Sequence, residues 1–411
     1  MSPPSLAKPT PPKSAPAMSG RRTAIIGGLM VATGPLSLTL YAPALPSLVA
    51  DLGASDAGGK LTLSIYFAAF ALAQLICGPL SDRYGRRAVG IAFFAIYVVG
   101  SLVSAVAPTL EVLLIGRLLQ GFGVSSGVAL SRAMVRDLFV GREAIGILTL
   151  INLVLTVAPA VAPTLGSLIM LAGSWHFMFV VMAGFGLAII ALLTLSARET
   201  LAPERRTPLR PATILGNYAR LLRAPAFLLP AGTLGAAFGG FYASAALLPF
   251  VLIDQIGLTP FQFAMAMLIQ TGSFITGNLV AARLARRLDG WQLVTIGLVL
   301  IGFAGLGYAI GPRLWPDQTL AVMIPVAFWM LSLACISPSA TAAAMAGFGE
   351  IAGSAGALTG FFQMGGGFVA SLIGSTLFPE ARAALVALMP ALAALAIALA
   401  GIDLWRTRQS A

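Results

Sequence analysis

Charge is scarce in this chain. Of its 411 residues only 9% are Asp, Glu, Lys or Arg, where soluble domains carry roughly 25%. A folded soluble chain of this composition would leave most of its surface apolar. Cysteine and histidine are almost absent too: Cys77, Cys335 and His176 are all there are. That excludes a disulfide framework, a thiolate metal site and a His-rich metal cluster. No G-x-x-x-x-G-K-[ST] phosphate loop, no Ser/His/Asp set and no pair of carboxylates inside an apolar run occurs. An ATP-driven pump and a membrane-embedded enzyme therefore fare badly, and no cofactor or metal is expected.

What is abundant is apolar: 58% of the residues are hydrophobic and the mean hydropathy is +0.93. Twelve apolar runs of about 20 residues fall at 23–45, 60–80, 88–107, 110–132, 144–170, 175–196, 226–252, 262–284, 291–311, 320–342, 354–377 and 383–404. Each can cross a hydrocarbon core of about 30 Å at 1.5 Å rise per residue. The runs lack the period-two alternation of a barrel strand. Helices also satisfy every backbone polar group within the segment. The expected fold class is an all-α integral membrane protein with twelve transmembrane helices.

The formal charge of +11 raises the question of nucleic acid, and its distribution answers it. With the N-terminus cytoplasmic, 21 of the 25 basic residues fall on the cytoplasmic side. Lys60, Arg313 and Arg382 fall opposite, and Arg117 lies within a span. This is the positive-inside pattern, so both termini are expected in the cytoplasm and no nucleic-acid partner is. Residues 1–22, rich in Pro, Ser and Ala over most of their length, read as a disordered cytoplasmic terminus without a removed signal peptide.

The longest connection, 197–225, contains "RETLAPERRTPLRP" and has the composition of a cytoplasmic linker. It divides the chain into six-helix bundles at 23–196 and 226–405, followed by a tail at 406–411. Arg83, Arg86 and Arg87 recur 200 residues later as Arg283, Arg286 and Arg287, again between the second and third spans of a half. Duplicated bundles of this kind recur in secondary transporters, with a substrate site between the halves near the midplane.

"GPLSDRYGRR" at 78–87 concentrates charge between two apolar spans. Gly78 lets a neighbouring helix approach, and Gly85 permits the turn into the third span. Asp82 can sit against an incoming helix N-terminus. Arg83, Arg86 and Arg87 hold the loop in the cytoplasm, and Asp137 is the candidate carboxylate to pair with them. On residues alone, a solvated topogenic loop is an equal reading.

This decapeptide resembles the loop signature of the major facilitator superfamily, G-x-L-[AS]-D-R-x-G-R-[RK]. "LYAPALPSLVADLG" at 40–53, "GRLLQGFGVSSGVALSRAMVRDLF" at 116–139 and "APAVAPTLGSLI" at 158–169 resemble helices 1, 4 and 5 of the bacterial Bcr/CflA-type drug-resistance transporters. The resemblance implies two pseudo-symmetric bundles, alternating access, export of small lipophilic compounds from a monomer in the bacterial inner membrane, and proton antiport. A proton-independent facilitator or a metabolite carrier of the same fold is the alternative. A non-transporting receptor is a further class, in which the loop would be idle. The resemblance further implies that the loop cluster latches helix 2 against helix 11 in one conformation and releases it in the other. It gives Arg117 a part in proton translocation, with Asp137 a second candidate for coupling. Pro159, Pro163 and Gly166 are implied to shape the antiporter face of helix 5.

A central Arg costs about 2.5–3.5 kcal/mol on insertion scales, so Arg117 should face the interior or a water-filled cavity. Bracing helices through hydrogen bonds is its bland role. "GFFQMGGGF" at 360–368 gives helix 11 a small-residue face, with Gln363 beside it. Gln74, Gln120, Asn152, Gln270 and Asn278 each suit cross-helix hydrogen bonds, and Gln363 is a further cavity candidate. Together with Tyr41, Phe67, Phe70, Phe238, Phe241, Tyr242 and Phe362 they also suit a cavity for lipophilic molecules. His176, next to Trp175, reads as an interfacial anchor more than a proton shuttle.

Thr39 marks a departure. Related exporters carry an Asp at this point of helix 1, and no other span holds a carboxylate in its middle. Without a buried carboxylate, Arg117 biases the cavity positive. A preference for neutral, zwitterionic or anionic substrates follows, with coupling through Asp137 or through the substrate's own proton.

Overall fold

The computed structural model describes residues 17–139, 141–206 and 208–409; Lys8 and Lys13 lie outside them. Among the described residues there are fourteen α-helices and no strand. Twelve are long: α1 (Gly20–Thr39), α3 (Asp56–Tyr84), α4 (Arg86–Ala105), α5 (Leu110–Leu138), α6 (Gly141–Ala172) and α7 (Trp175–Leu195) in the first half, then α9 (Pro225–Pro249), α10 (Pro260–Leu284), α11 (Gly290–Leu314), α12 (Thr319–Met345), α13 (Ala352–Thr376) and α14 (Ala381–Gln409) in the second. Two are short, α2 (Leu45–Asp51) and α8 (Pro211–Leu222). Ten of the long helices are apolar and long enough to cross a membrane. The 20-residue α1 and the 32-residue α6 have the length to do so.

The expected spans and the helices agree, with informative differences. Hydropathy marks only the lipid-length part, so α3 and α5 overrun their apolar runs by about a turn. The first helix stops at Thr39 rather than at 45. Pro43 has no N–H for the Thr39 carbonyl and disfavours helix in the residue before it. A 3₁₀ turn at Ala42–Ala44 and the short α2 follow. Gly20, Arg21 and Arg22 are already helical, capped by Ser19, whose hydroxyl accepts the Arg22 N–H. The linker carries α8, which the charge-rich sequence hid. At the other end α14 runs on to Gln409 through the expected tail.

Packing repeats between the halves. In the first, α1 touches α5 and α6, and α4 touches α5 and α7; in the second, α9 touches α12 and α13, and α11 touches α12 and α14. The halves meet through two quasi-equivalent pairs, α3 with α13 and α6 with α10. Lipid offers no hydrophobic drive between helices, so close backbone approach at small residues matters. Gly121 of α5 rests on the Tyr66 carbonyl of α3, Gly127 on the Met30 carbonyl of α1, and Gly366 of α13 on the Gly235 carbonyl of α9. A Cβ at any of these would collide with main chain, which cannot yield.

The two ends of the molecule differ. At the far end, opposite the chain termini, the halves are packed: Phe250 lies 3.1 Å from where a Gly59 Cβ would stand, and Ser64 donates to Ser371 at 2.7 Å. Midway, the Gln74 amide of α3 fills the space beside Gly360 of α13. Toward the end bearing the termini the helices part. A Cβ on Gly78, Gly353 or Gly356 would meet nothing within 4 Å.

Candidate functional site

The charge cluster of the decapeptide assembles at the terminal end, within the first half and the start of the linker. Gly85 ends α3 with φ +98°, a backbone that side-chain-bearing residues rarely adopt, and the chain turns directly into α4. That turn aims Arg86 inward. Its Nε donates to Asp137 Oδ2 of α5 at 3.0 Å, and its Nη1 meets Asp82 Oδ1 at 2.5 Å and Ser81 Oγ at 2.6 Å. Arg86 and Asp137 are both only 4% exposed, Asp82 41%. Thr200 donates its hydroxyl to the same Asp137 oxygen at 3.3 Å. Arg87 holds the end of α7 through the carbonyls of Leu193 and Thr194. Arg83 is exposed, its guanidinium stacked over Tyr84.

Two expectations for this loop need correction. Asp82 does not cap a helix N-terminus; it pairs with Arg86. Glu199, four residues beyond α7, takes that place. Its Oε1 accepts the N–H of Arg86 at 2.9 Å and its Oε2 that of Arg87 at 3.2 Å, at the positive end of the α4 dipole. Gly78 is not a site of close approach either, since open space lies beside it. Among the described residues the cluster makes no hydrogen bond or ion pair to α13.

About 30 Å away along α5, at 1.5 Å per residue, Arg117 is fully buried. Its guanidinium carbon lies 4.6 Å from the centre of the Tyr41 ring and 4.4 Å from that of Tyr66. Its Nη1 donates to the Ser37 carbonyl at 3.2 Å and to Gln120 Oε1 at 2.8 Å, while Nε and Nη2 have no partner. Among the described residues no carboxylate touches it. Gln120 is fixed in turn by donating to Ser101 Oγ at 2.7 Å, and Ser37 is bonded to the Tyr97 hydroxyl at 2.7 Å. The Tyr41 hydroxyl is bonded to Thr62. Two desolvated cation–π contacts of about 2 kcal/mol each are of the same size as the insertion cost of a central Arg. The aromatic cage thus does the work a counter-ion would otherwise do.

This cage adjoins the seam between the halves. Phe67 of α3 meets Tyr242 of α9 at 4.5 Å between ring centres, with Phe241 and Phe238 behind at 4.9 and 6.0 Å from Tyr242. Tyr66 faces Phe70, and Tyr41 faces Phe179.

Comparison with known proteins gives this architecture its family. The sequence profile of the Major Facilitator Superfamily matches residues 27–375. The chain belongs to that superfamily. It is 31% identical over 354 residues, 85% of this chain and 88% of the other, to the "Uncharacterized MFS-type transporter YdgK" of Bacillus subtilis. It is 28% identical over 386 residues, 93% and 95% of the two chains, to "Multidrug resistance protein D" of Escherichia coli. Among solved structures it is similar to the human organic anion transporter MFSD10, with a TM-score of 0.67 at 20% identity over 94% of this chain and 100% of the other. The Escherichia coli xylose transporter XylE gives 0.70 at 12% identity over 94% and 97%. These likenesses concern the fold. The protein is a multi-pass membrane transporter of the superfamily, and transport of small molecules, not catalysis, is what that membership implies.

Within this transporter the remaining sequence candidates divide. Tyr41, Phe67, Phe70 and Tyr242 are buried in the cage and the seam, so in this conformation they plug the far end instead of lining an open cavity. Phe238, Phe241, Phe362 and Gln363 are half-buried. Thr39 spends its hydroxyl on the Pro35 carbonyl of its own helix at 2.8 Å. Gln270 is buried with Oε1 unpartnered. Gly166 abuts the Leu40 carbonyl of the helix 1 end. The side chains of Asn152, Pro159 and Pro163 lie outside the described residues. An apolar crevice of about 910 Å³ opens elsewhere, inside the second half, between Asn278, Trp291, Cys335 and Asp403, and none of the aromatic candidates borders it. Arg117 and Asp137, grouped for coupling, stand at opposite ends of α5. His176 stacks on Trp175, whose indole donates to Asp51 Oδ2 at 3.0 Å, the arrangement of an anchor.

Proposed function

We propose that the protein exports small lipophilic compounds across the bacterial inner membrane by alternating access, in the manner of Bcr/CflA-type proton antiporters. The observation that carries this reading is the crossing of the halves. They touch through the quasi-equivalent pairs α3–α13 and α6–α10, packed at the far end and parted at the terminal end. Such a geometry is one of two states of a rocking pair, with residues 23–196 and 226–405 as the moving bodies and 197–225 as their link. The charge asymmetry supports cytoplasmic termini, which makes the parted end the cytoplasmic one. The names of multidrug-resistance relatives from Escherichia coli and Salmonella typhimurium support drug efflux.

Each of the chain's 14 acidic residues lies in a connection or near a helix end, and the charges buried on the far side of the first half, the caged Arg117 and Lys60 over the Phe250 ring, are both positive. Substrates are therefore neutral, zwitterionic or anionic lipophiles. Proton coupling runs through Asp137 in the charge cluster or through the substrate's own ionisation, and the working unit is a monomer. Counterflow in proteoliposomes tests the carrier reading, and an imposed pH gradient tests antiport. Counterflow without any response to the gradient would make the protein a facilitator. Absence of counterflow across a compound panel would contradict the carrier reading itself.

A further inference from the structure

Pro79 stands in the last third of α3, inside the decapeptide. It has no N–H, so the Leu75 carbonyl one turn earlier loses its helical donor, and the proline ring pushes that carbonyl outward. A buried carbonyl without a partner is costly. Here it has one from outside the helix: the Tyr218 hydroxyl of α8 donates to it at 2.7 Å.

The helix that supplies this hydroxyl belongs by packing to the second half. Ile214, Tyr218 and Leu221 lie at i, i+4 and i+7 on one face of α8. That face shares a buried cluster with Phe227 of α9, Ala344 of α12, and Ala355 and Leu358 of α13. Asn217 reaches Ser354 of α13 at 3.5 Å, at the outer limit of a hydrogen bond. Burial pushes the Tyr218 phenol up to about 12, so it remains a donor across physiological pH. Leu75 adjoins Gln74, where α3 crosses Gly360 of α13, and α8 therefore sits just beneath the crossing, where the two helices begin to part.

We propose that Tyr218 is a positioning residue of the transport cycle: by filling the carbonyl that Pro79 leaves free, it ties the linker helix of the second half to the gating end of α3 and favours the conformation with the terminal ends apart. The proline creates a vacancy in one half that only the linker of the other half fills. The bond is thus a specific tie between the halves at the end that must open and close. The proposal rests on the alternating-access reading.

Spin labels at Tyr84→Cys and Gly353→Cys, with Cys77 and Cys335 replaced by Ala, report the separation of α3 and α13 in lipid nanodiscs. Tyr218→Phe keeps the ring and removes only the donor. It should shift the ratio of parted to closed molecules about tenfold toward closed. In a Pro79→Ala background the Leu75 carbonyl regains its own helical donor, and Tyr218→Phe should then shift the ratio less than about twofold. An equal shift in both backgrounds, or none while added substrate still moves the labels, would overturn the role of Tyr218. Distances that no substrate and no variant changes would overturn the two-state reading and this proposal with it.

Discussion

The Glu199 carboxylate accepts the backbone N–H of Arg86 at 2.9 Å, 113 residues earlier in the chain. With its second oxygen on the Arg87 N–H it closes the N-terminus of α4. The turn at Gly85 and the inward aim of Arg86 both depend on that closure. Glu199→Gln keeps one acceptor and loses the charge that favours the helix end. It should lower stability by about 1 kcal/mol and weaken transport without loss of insertion. Glu199→Ala should do more. Thermal unfolding in detergent and flux in proteoliposomes measure the two effects, and unchanged stability of Glu199→Ala would remove Glu199 from the cluster's support.

Asp82 and Asp137 bind the same guanidinium but should separate by phenotype. Asp137 is buried, so Asp137→Asn leaves the buried Arg86 with only the more exposed Asp82 as counter-charge; removal of one partner from a buried pair costs about 3–5 kcal/mol, of which Asp82 offsets a part. Asp82 is 41% exposed, and exposed pairs are worth about 0.2–1 kcal/mol. Asp82→Asn should leave folding near normal and, on the proposed latch role in which Asp82 trades partners as the halves rock, still impair transport. Full transport by Asp82→Asn at normal expression would count against a latch.

Removing one wall of the Arg117 cage should be felt as instability. Tyr66→Leu keeps an apolar volume and loses one cation–π contact of about 2 kcal/mol. Arg117→Lys keeps the charge but loses the planar stacking and the fork that reaches Ser37 and Gln120. Both variants should unfold at lower temperature than the parent, and Arg117→Lys should also lose pH-driven flux. A Tyr66→Leu protein as stable as the parent would mean the rings do not hold the guanidinium.

Thr39 is buried, 9% exposed, and bonded to its own helix, two residues along from Ser37, whose carbonyl accepts from Arg117. A carboxylate there would supply the charge that Arg117 lacks. Thr39→Asp should shift the exported spectrum toward cations, read by competition against a labelled substrate. An unchanged spectrum would place substrate recognition away from helix 1.

Much of this architecture was legible in the sequence because lipid imposes a length and a polarity on every span. The twelve runs, the division at the linker and the isolation of Arg117 follow from composition along the chain. The break after Thr39 was legible in principle, since "YAPALP" carries two prolines. Glu199 was not. It sits in a charge-rich connection whose arginines read as topology, and nothing local marks it as the partner of a turn 113 residues away. Nor was Tyr218, whose meaning depends on a proline in the other half. The aromatic residues were legible as a group but not as a plug. Their burial comes from helices far apart in the chain meeting at one seam, which no local pattern carries.

Away from the helix ends the transporter's buried charge is the caged Arg117, with no carboxylate in the middle of any described helix to exchange a proton for a cation. Its most direct test is export driven by an imposed pH gradient in proteoliposomes, with a lipophilic anion and the permanent cation ethidium measured side by side on the unmutated protein. The account predicts gradient-dependent movement of the anion and none of ethidium above protein-free vesicles. Robust pH-driven export of ethidium would contradict it.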